Sequence, residues 1–277
     1  MKKTLLCFLV PFIIIMLFCA CKAQSAPVCD DKYADVYRIS EFLEDTQYEK
    51  YMNGDKELFA GLVDFQSRLS SSSDFSFYAF ANNFIEIIEE DIPETCVVNH
   101  GTEYAPESHY ELDGELVTAT EAIQVSENFF ELFPMKITDG RSFEASDFEQ
   151  DNNIPVILGN GYRDAFQIGD TFEGYYVCER KIFTVIGFAD GSSAFYLPAH
   201  NCMESYAYFI IMPFTTIRED SYSDRAVLLQ EICGYIVPGN DRSSAVNAVK
   251  RFLTEAGLGD LKDAVSVNEK SLAELMR

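Results

Sequence analysis

Apolar side chains recur along this chain with two different periods, and the change from one to the other marks out its elements. Leu58, Leu62, Phe65 and Leu69 follow i, i+4, i+7, i+11 and so share one helical face, and helices are expected from Asp31 to about Leu69. Ser70 to Ser73 break that rhythm. From Phe75 to Ile88 the pattern becomes an imperfect alternation suited to strands, with Asn82-Asn83 read as a turn between two of them. Another short strand is expected at Cys96 to His100, followed by a polar connection from Glu103 to Leu112 that contains Pro106. Tyr206 to Phe214 and Glu231 to Val237 read as later strands. Ser243 to Ala256 is the clearest helix: Ala245, Val246, Val249, Phe252, Leu253 and Ala256 fall on one face, Ser243 or Ser244 serves as its cap, and Gly257 stands in the C′ position. Val265-Ser266-Val267 is the last strand, and Asn268 is placed to cap a closing helix that runs to Arg277. Strands split by helices, without a βαβ repeat, predict an α+β fold.

Between Gln124 and Gly187 five local signals occur in a fixed order. Gln124-Val125-Ser126-x-Asn128-Phe129-Phe130 leads from a strand into a short aromatic helix that Ser126 is placed to cap. Gly140-Arg141-Ser142-Phe143 follows, with Gly140 suited to a positive φ and an acidic helix start at Asp147-Phe148. Pro155-Val156-Ile157-Leu158-Gly159 reads as a buried strand ending in glycine. Ile168-Gly169-Asp170 then turns the chain into two strands that finish at Phe183-Thr184-Val185-Ile186-Gly187. In that last strand a period of two puts Ile182, Thr184 and Ile186 on one face and Phe183 and Val185 on the other.

This order resembles the extracytoplasmic core domain of bacterial ABC-transporter permeases of the macrolide-exporter (MacB-like) and FtsX-like type. The resemblance implies a two-lobed α+β domain over residues 30–277. The first helices and the C-terminal segment would form a discontinuous α/β lobe, with a mainly β lobe inserted at residues 114–199. It also implies a domain without chemistry of its own, preceded by one membrane helix, whose partners are a separate ABC ATPase subunit and the permease membrane helices.

The N-terminus fits that placement. Lys2 and Lys3 precede an uncharged apolar run from Leu5 to Cys21, about 25 Å long if helical against a bilayer core of about 30 Å. Three readings of residues 1–22 fit: a single membrane-spanning helix, a cleaved secretory signal, and a lipoprotein signal in which Cys21 is acylated after Phe18-Cys19-Ala20. Each places the remainder outside the cytoplasm of a bacterial cell, the single-pass helix with its lysines inside. No second stretch reaches transmembrane length.

Charge narrows the partners. The chain holds 21 basic and 45 acidic residues, and three of the lysines lie in the first 22 positions, which carry no acid. The external part therefore has 18 basic against 45 acidic residues, which excludes nucleic acid; long-range steering permits cationic peptides as cargo, and the same acidity also fits a surface that only keeps the domain soluble. Of eight cysteines, Cys7, Cys19 and Cys21 lie in the apolar run and Cys29, Cys96, Cys178, Cys202 and Cys233 outside it, where disulfides and buried thiols both fit.

The inventory for catalysis is thin. There is no Gly-x-Ser-x-Gly elbow, and Leu158-Gly159-Asn160-Gly161 lacks the lysine that a phosphate loop needs. His100 and His109 stand among Glu103, Glu107 and Glu111, and His200-Asn201-Cys202 forms another potential ligand pair, but neither has the spacing of a metal motif. Glu89-Glu90-Asp91 are adjacent rather than facing. The expectation is a non-enzymatic domain with no catalytic, cofactor or metal residues, and with Cys21 as the lipidation site if residues 1–22 are a lipoprotein signal. Phe129, Phe130 and Phe133 are expected in a core, and Tyr175-Tyr176 either as a cross-strand pair or facing a partner.

Overall fold

The computed structural model describes residues 31–277 apart from 42, 89–90, 150–152 and 216–218. The proposed anchor, Cys21, Cys29 and the Glu89-Glu90 pair lie outside the described residues. In chain order the elements are β1 (Tyr37–Glu41), α1 (Asp45–Met52), α2 (Lys56–Ser70), β2 (Phe75–Ile88), β3 (His109–Leu112), β4 (Glu115–Val125), α3 (Phe129–Leu132), β5 (Ile137–Gly140), β6 (Asn153–Gly159), β7 (Thr171–Tyr176), β8 (Glu179–Ala189), β9 (Ala194–Leu197), β10 (Cys202–Ser205), β11 (Ile210–Pro213), α4 (Tyr222–Glu231), β12 (Gly234–Pro238), α5 (Arg242–Glu255), β13 (Val265–Ser271) and α6 (Leu272–Leu275). The fold is α+β with mostly strand content, and among the described residues no helix is long and apolar enough to cross a membrane.

Strand pairing closes on itself. β2 pairs with β7, β7 with β8, β8 with β6, β6 with β11, β11 with β4, and β4 again with β2, which makes a ring of six strands. The inward side chains follow from the alternation of each strand: Ile85 and Ile87, Ala122, Ile154, Val156 and Leu158, Phe172, Phe183 and Val185, Ile210 and Met212 all belong to one buried cluster. Each large apolar side chain removed from water there contributes about 1.5–3 kcal/mol before the entropy cost of ordering it. A register shift between Val156 and Ile157, opposite Val185 and Gly187, bends β8 where it leaves the ring interior.

β2 extends beyond the ring. Residues Phe80 to Ile88 pair with β4, whereas Phe75 to Ala79 pair with β12 and so join the open sheet β13-β1-β12-β2. Helices α2 and α5 cover one face of that sheet through Leu62, Phe65, Leu69, Ala245, Val249, Phe252 and Leu253. A second cluster fills the other side, where Phe80, Ile123, Val125, Ile157 and Tyr235 meet Phe129 and Phe133 and the β9–β10 hairpin residues Phe195 and Leu197.

Several local expectations are overturned. Asn82-Asn83 is no turn, because β2 runs through it unbroken. Both asparagines have cross-strand partners: Asn82 donates to Glu121 Oε2 at 3.1 Å, and Asn83 is bonded to Tyr176 and Gln230. Residues 31–69 are not all helical, since β1 interrupts them and is paired on both edges, by β12 and β13. Cys96 to His100 forms no strand: a 3-10 turn covers Glu94–Cys96, Asn99 takes a positive φ, and Val97 makes only an isolated bridge to Thr120. Glu103 to Leu112 is not wholly a connection, since its end forms β3. Tyr206–Tyr208 is a 3-10 turn ahead of β11.

The caps also differ. Asp241, one turn earlier than read, caps α5 by accepting from Ser244 N at 2.8 Å, although Gly257 has the expected positive φ of 76°. Ser271 rather than Asn268 caps α6, because β13 continues through Asn268. Ser126 donates to Asn128 Oδ1 instead of capping α3.

Candidate functional site

The motif residues turn out to hold backbones together. Gly140 on β5 faces Gly187 on β8, where a Cβ on Gly140 would stand 2.3 Å from Ile186 O and one on Gly187 would stand 2.4 Å from Arg141 O. Only glycine permits that approach. Arg141 then grips both Asp147 oxygens, and Glu144 N donates to the same carboxylate at 2.8 Å. Burial acts to raise the Asp147 carboxyl, but Arg141 and the Glu144 N–H outweigh it and hold it below its ordinary value. Phe143 stacks on Phe130 at 6.2 Å, and Phe129 and Phe133 are fully buried, 5.2 Å apart, as expected of core residues. Gly159 is tight for a steric reason unrelated to phosphate: a Cβ would stand 2.2 Å from the carbonyl oxygens of both Tyr206 and Ala207.

At one end of the ring a chain of amides, Gln124 buried and Asn83 and Gln230 half-buried, crosses from strand to helix. Gln124 Nε2 donates to Pro213 O at 3.0 Å, and Tyr176 Oη donates to Gln124 Oε1 at 2.5 Å. Asn83 Nδ2 donates to Tyr176 Oη at 2.9 Å and to Gln230 Oε1 at 2.6 Å, and Gln230 Nε2 returns to Asn83 Oδ1 at 3.1 Å. Burial drives the Tyr176 hydroxyl well above its ordinary value, so it stays a neutral donor. The network joins β2, β4 and β7 to α4 and fixes one register at that junction. Next to it, Gln66 Nε2 of α2 donates to Glu231 Oε1 at 2.8 Å, and burial pushes the Glu231 carboxyl up to about 7. Sequence reading missed this group. The one signal for it was a glutamine between the apolar Ile123 and Val125 of an otherwise buried strand.

The candidate metal ligands are separately engaged. His109 Nδ1 lies 3.1 Å from Thr118 Oγ1, and His100 N closes a turn onto Val97 O. His200 Nδ1 lies 2.9 Å from Glu204 Oε1, and Cys202 Sγ donates to the same oxygen at 3.3 Å. Glu204, ahead of the opposing cost of burial, raises the proton affinity of His200. Among the described residues no group of three His, Cys, Asp or Glu side chains is arranged to hold a metal ion. No disulfide links the described cysteines to one another, and burial pushes the Cys96 thiol up to about 11 and that of Cys233 up to about 12. Tyr175 and Tyr176 are both buried rather than turned towards a partner, Tyr175 donating to Glu115 Oε2 at 3.1 Å.

These features describe a domain built around a closed ring with a helix-backed sheet beside it, in which the recognisable residues serve packing. The chain belongs to the MacB-like periplasmic core domain family, whose model matches residues 58–252. Among solved structures it is similar to the periplasmic region of MacB from Actinobacillus actinomycetemcomitans, at 12% identity and a TM-score of 0.49, covering 85% of this chain and 89% of that one. It is also similar to the extracellular domain of the noncanonic ABC-type transporter YknZ from Gram-positive bacteria, at 11% identity and a TM-score of 0.46, covering 84% of this chain and 100% of that one. No curated protein matches the chain. The family expectation drawn from the five ordered signals holds.

Proposed function

We infer that this chain is the extracytoplasmic part of an ABC-transporter permease system, held at the bacterial membrane by residues 1–22. In this reading it works without catalysis, relaying movement driven by a separate ATPase subunit to whatever the transporter handles outside. The observation that carries the reading is the family match over residues 58–252. The build suits the role, since one strand runs through both the ring and the helix-backed sheet and the junction is fixed by bonded amides. Rigid elements that move as bodies are what a relay requires. The division into a β-rich insertion at 114–199 and an α/β lobe belongs to the same proposal.

Purification of the affinity-tagged full chain from native membranes in mild detergent tests it. An ABC ATPase is expected to copurify, and its ATP turnover is expected to change when the chain is removed. A chain that extracts alone with Cys21 acylated by mass spectrometry, and with no ATPase in any fraction, would instead identify a stand-alone surface lipoprotein.

A further inference from the structure

The open sheet ends at β13, which pairs with β1 on one edge and with no strand on the other among the described residues. Helix α5 packs against the same sheet but leaves a groove of about 430 Å³ between itself and this terminal strand. Val246 and Val249 of α5 and Val265 and Val267 of β13 lie beneath it, and of these four only Val246 is more than slightly exposed. Its rim is cationic for so acidic a chain, with Arg242, Lys250 and Lys262 against Asp263 and Glu269. Arg242 is fixed in place, donating from Nε to Asn268 O at 2.6 Å and from Nη2 to Val267 O at 2.8 Å.

Lys250 and Lys262, like Lys56, stand outside the ion pairs formed among the described residues. Nine lysines and arginines elsewhere are paired with a carboxylate, namely Lys50, Arg68, Lys136, Arg141, Arg163, Arg180, Lys181, Arg225 and Arg251. Lys250 and Lys262 are exposed and have no such partner among the described residues, although acids outnumber bases 45 to 21 in the chain. They also stand on separate elements, Lys250 on α5 and Lys262 ahead of β13. A free strand edge presents N–H and C=O groups that a polypeptide matches over several residues and a lipid headgroup does not.

We propose that this groove docks a partner protein through an extended acidic segment laid along the edge of β13 that no strand covers among the described residues, beside the Val267 and Asn268 carbonyls that Arg242 holds. The segment's carboxylates meet Lys250 and Lys262, and an apolar side chain packs over Val246. Asp263 and Glu269 on the rim make the position of the acidic residues matter more than their number, which gives selectivity. The inference goes beyond the transporter reading and stands without it.

The test uses the full chain and a fluorescein-labelled peptide of alternating glutamate and valine, with the lysine-valine peptide as its counterpart. Anisotropy is expected to rise saturably with the glutamate peptide only, and hydrogen exchange at residues 265–269 is expected to slow when it binds. Lys250→Gln with Lys262→Gln is expected to weaken binding about tenfold, as the loss of two partly exposed ion pairs would. Lys56→Gln with Lys136→Gln makes the same charge change outside the groove and is expected to leave binding unchanged. Unaltered circular dichroism checks that both variants are folded. Equal binding of the two peptides, no binding of either, or equal loss in both double variants would overturn the proposal. So would slowed exchange at 265–269 with dihexanoylphosphatidylglycerol but not with the peptide, which would make the groove a lipid-headgroup site.

Discussion

Replacing Phe183 by alanine tests the closed ring directly. The ring of Phe183 is fully buried and stacks on Phe172 at 5.1 Å, and Phe172 in turn lies 5.0 Å from Phe166. Alanine there leaves a cavity lined by stiff strand residues that have little room to collapse, so the cost is set at about 3–5 kcal/mol. Ile182, one residue earlier, is 43% exposed, and its truncation should cost about 0.5 kcal/mol. The chain has no tryptophan, so urea unfolding is best followed by far-UV circular dichroism. With an m-value of about 3 kcal/mol/M, the Phe183→Ala midpoint should fall by roughly 1–1.7 M and that of Ile182→Ala by about 0.2 M. A cycle with Phe172→Ala should return a coupling of about 0.5–1.5 kcal/mol for the stacked pair. An unchanged Phe183→Ala midpoint, or a larger loss for Ile182→Ala, would refute the facing of β8 and with it the ring interior.

Glu231 should make stability fall as pH rises. Its folded value of about 7 lies above the ordinary 4.5, so the folded state holds the proton more tightly between those values, and Glu231→Gln should gain stability relative to wild type from pH 5 to pH 8. Equal urea midpoint differences at the two pH values would count against a buried carboxyl. Asp147 has the opposite sign, since its value is lowered in the fold: Asp147→Asn should cost about 1–2 kcal/mol at pH 7, a gap that closes as pH falls below the ordinary 3.8. A pH titration of the two melting curves measures it. Gly159→Ala must move the Tyr206–Ala207 backbone and should cost about 2 kcal/mol or more, read by calorimetry as a melting temperature lower by roughly 4–8 °C.

Much of the fold was legible because its signals were local. The facing of Phe183 and Val185, the glycine at 140 and the helix over 243–256 each follow from period or φ alone, and the order of five such pieces was enough to reach the family. What failed depended on partners distant in sequence. Asn82-Asn83 reads as a turn because asparagine side chains usually compete for nearby backbone. Here they are satisfied by Glu121 from β4, by Tyr176 from β7 and by Gln230 from α4, so the strand passes straight through. The strand Tyr37–Glu41 was missed for a related reason: its alternation, Tyr37-Arg38-Ile39-Ser40, spans only four residues, and pairing on both edges by β12 and β13 decides its conformation. The groove beside β13 was beyond reach too, since nothing in the sequence brings Lys250 and Lys262 to the same rim.

Strand β2 gives the molecule a particular response to load. Its 14 residues form one covalent backbone, about 45 Å long when extended, that begins in the helix-backed sheet and ends in the ring. A pull on the sheet therefore reaches the ring lengthwise, along a strand stiffened by neighbours. Nine register pairs between Phe80–Ile88 and Val117–Val125 then bear the force side by side in shear, and they must yield together rather than one after another as a hairpin pulled open from its end would.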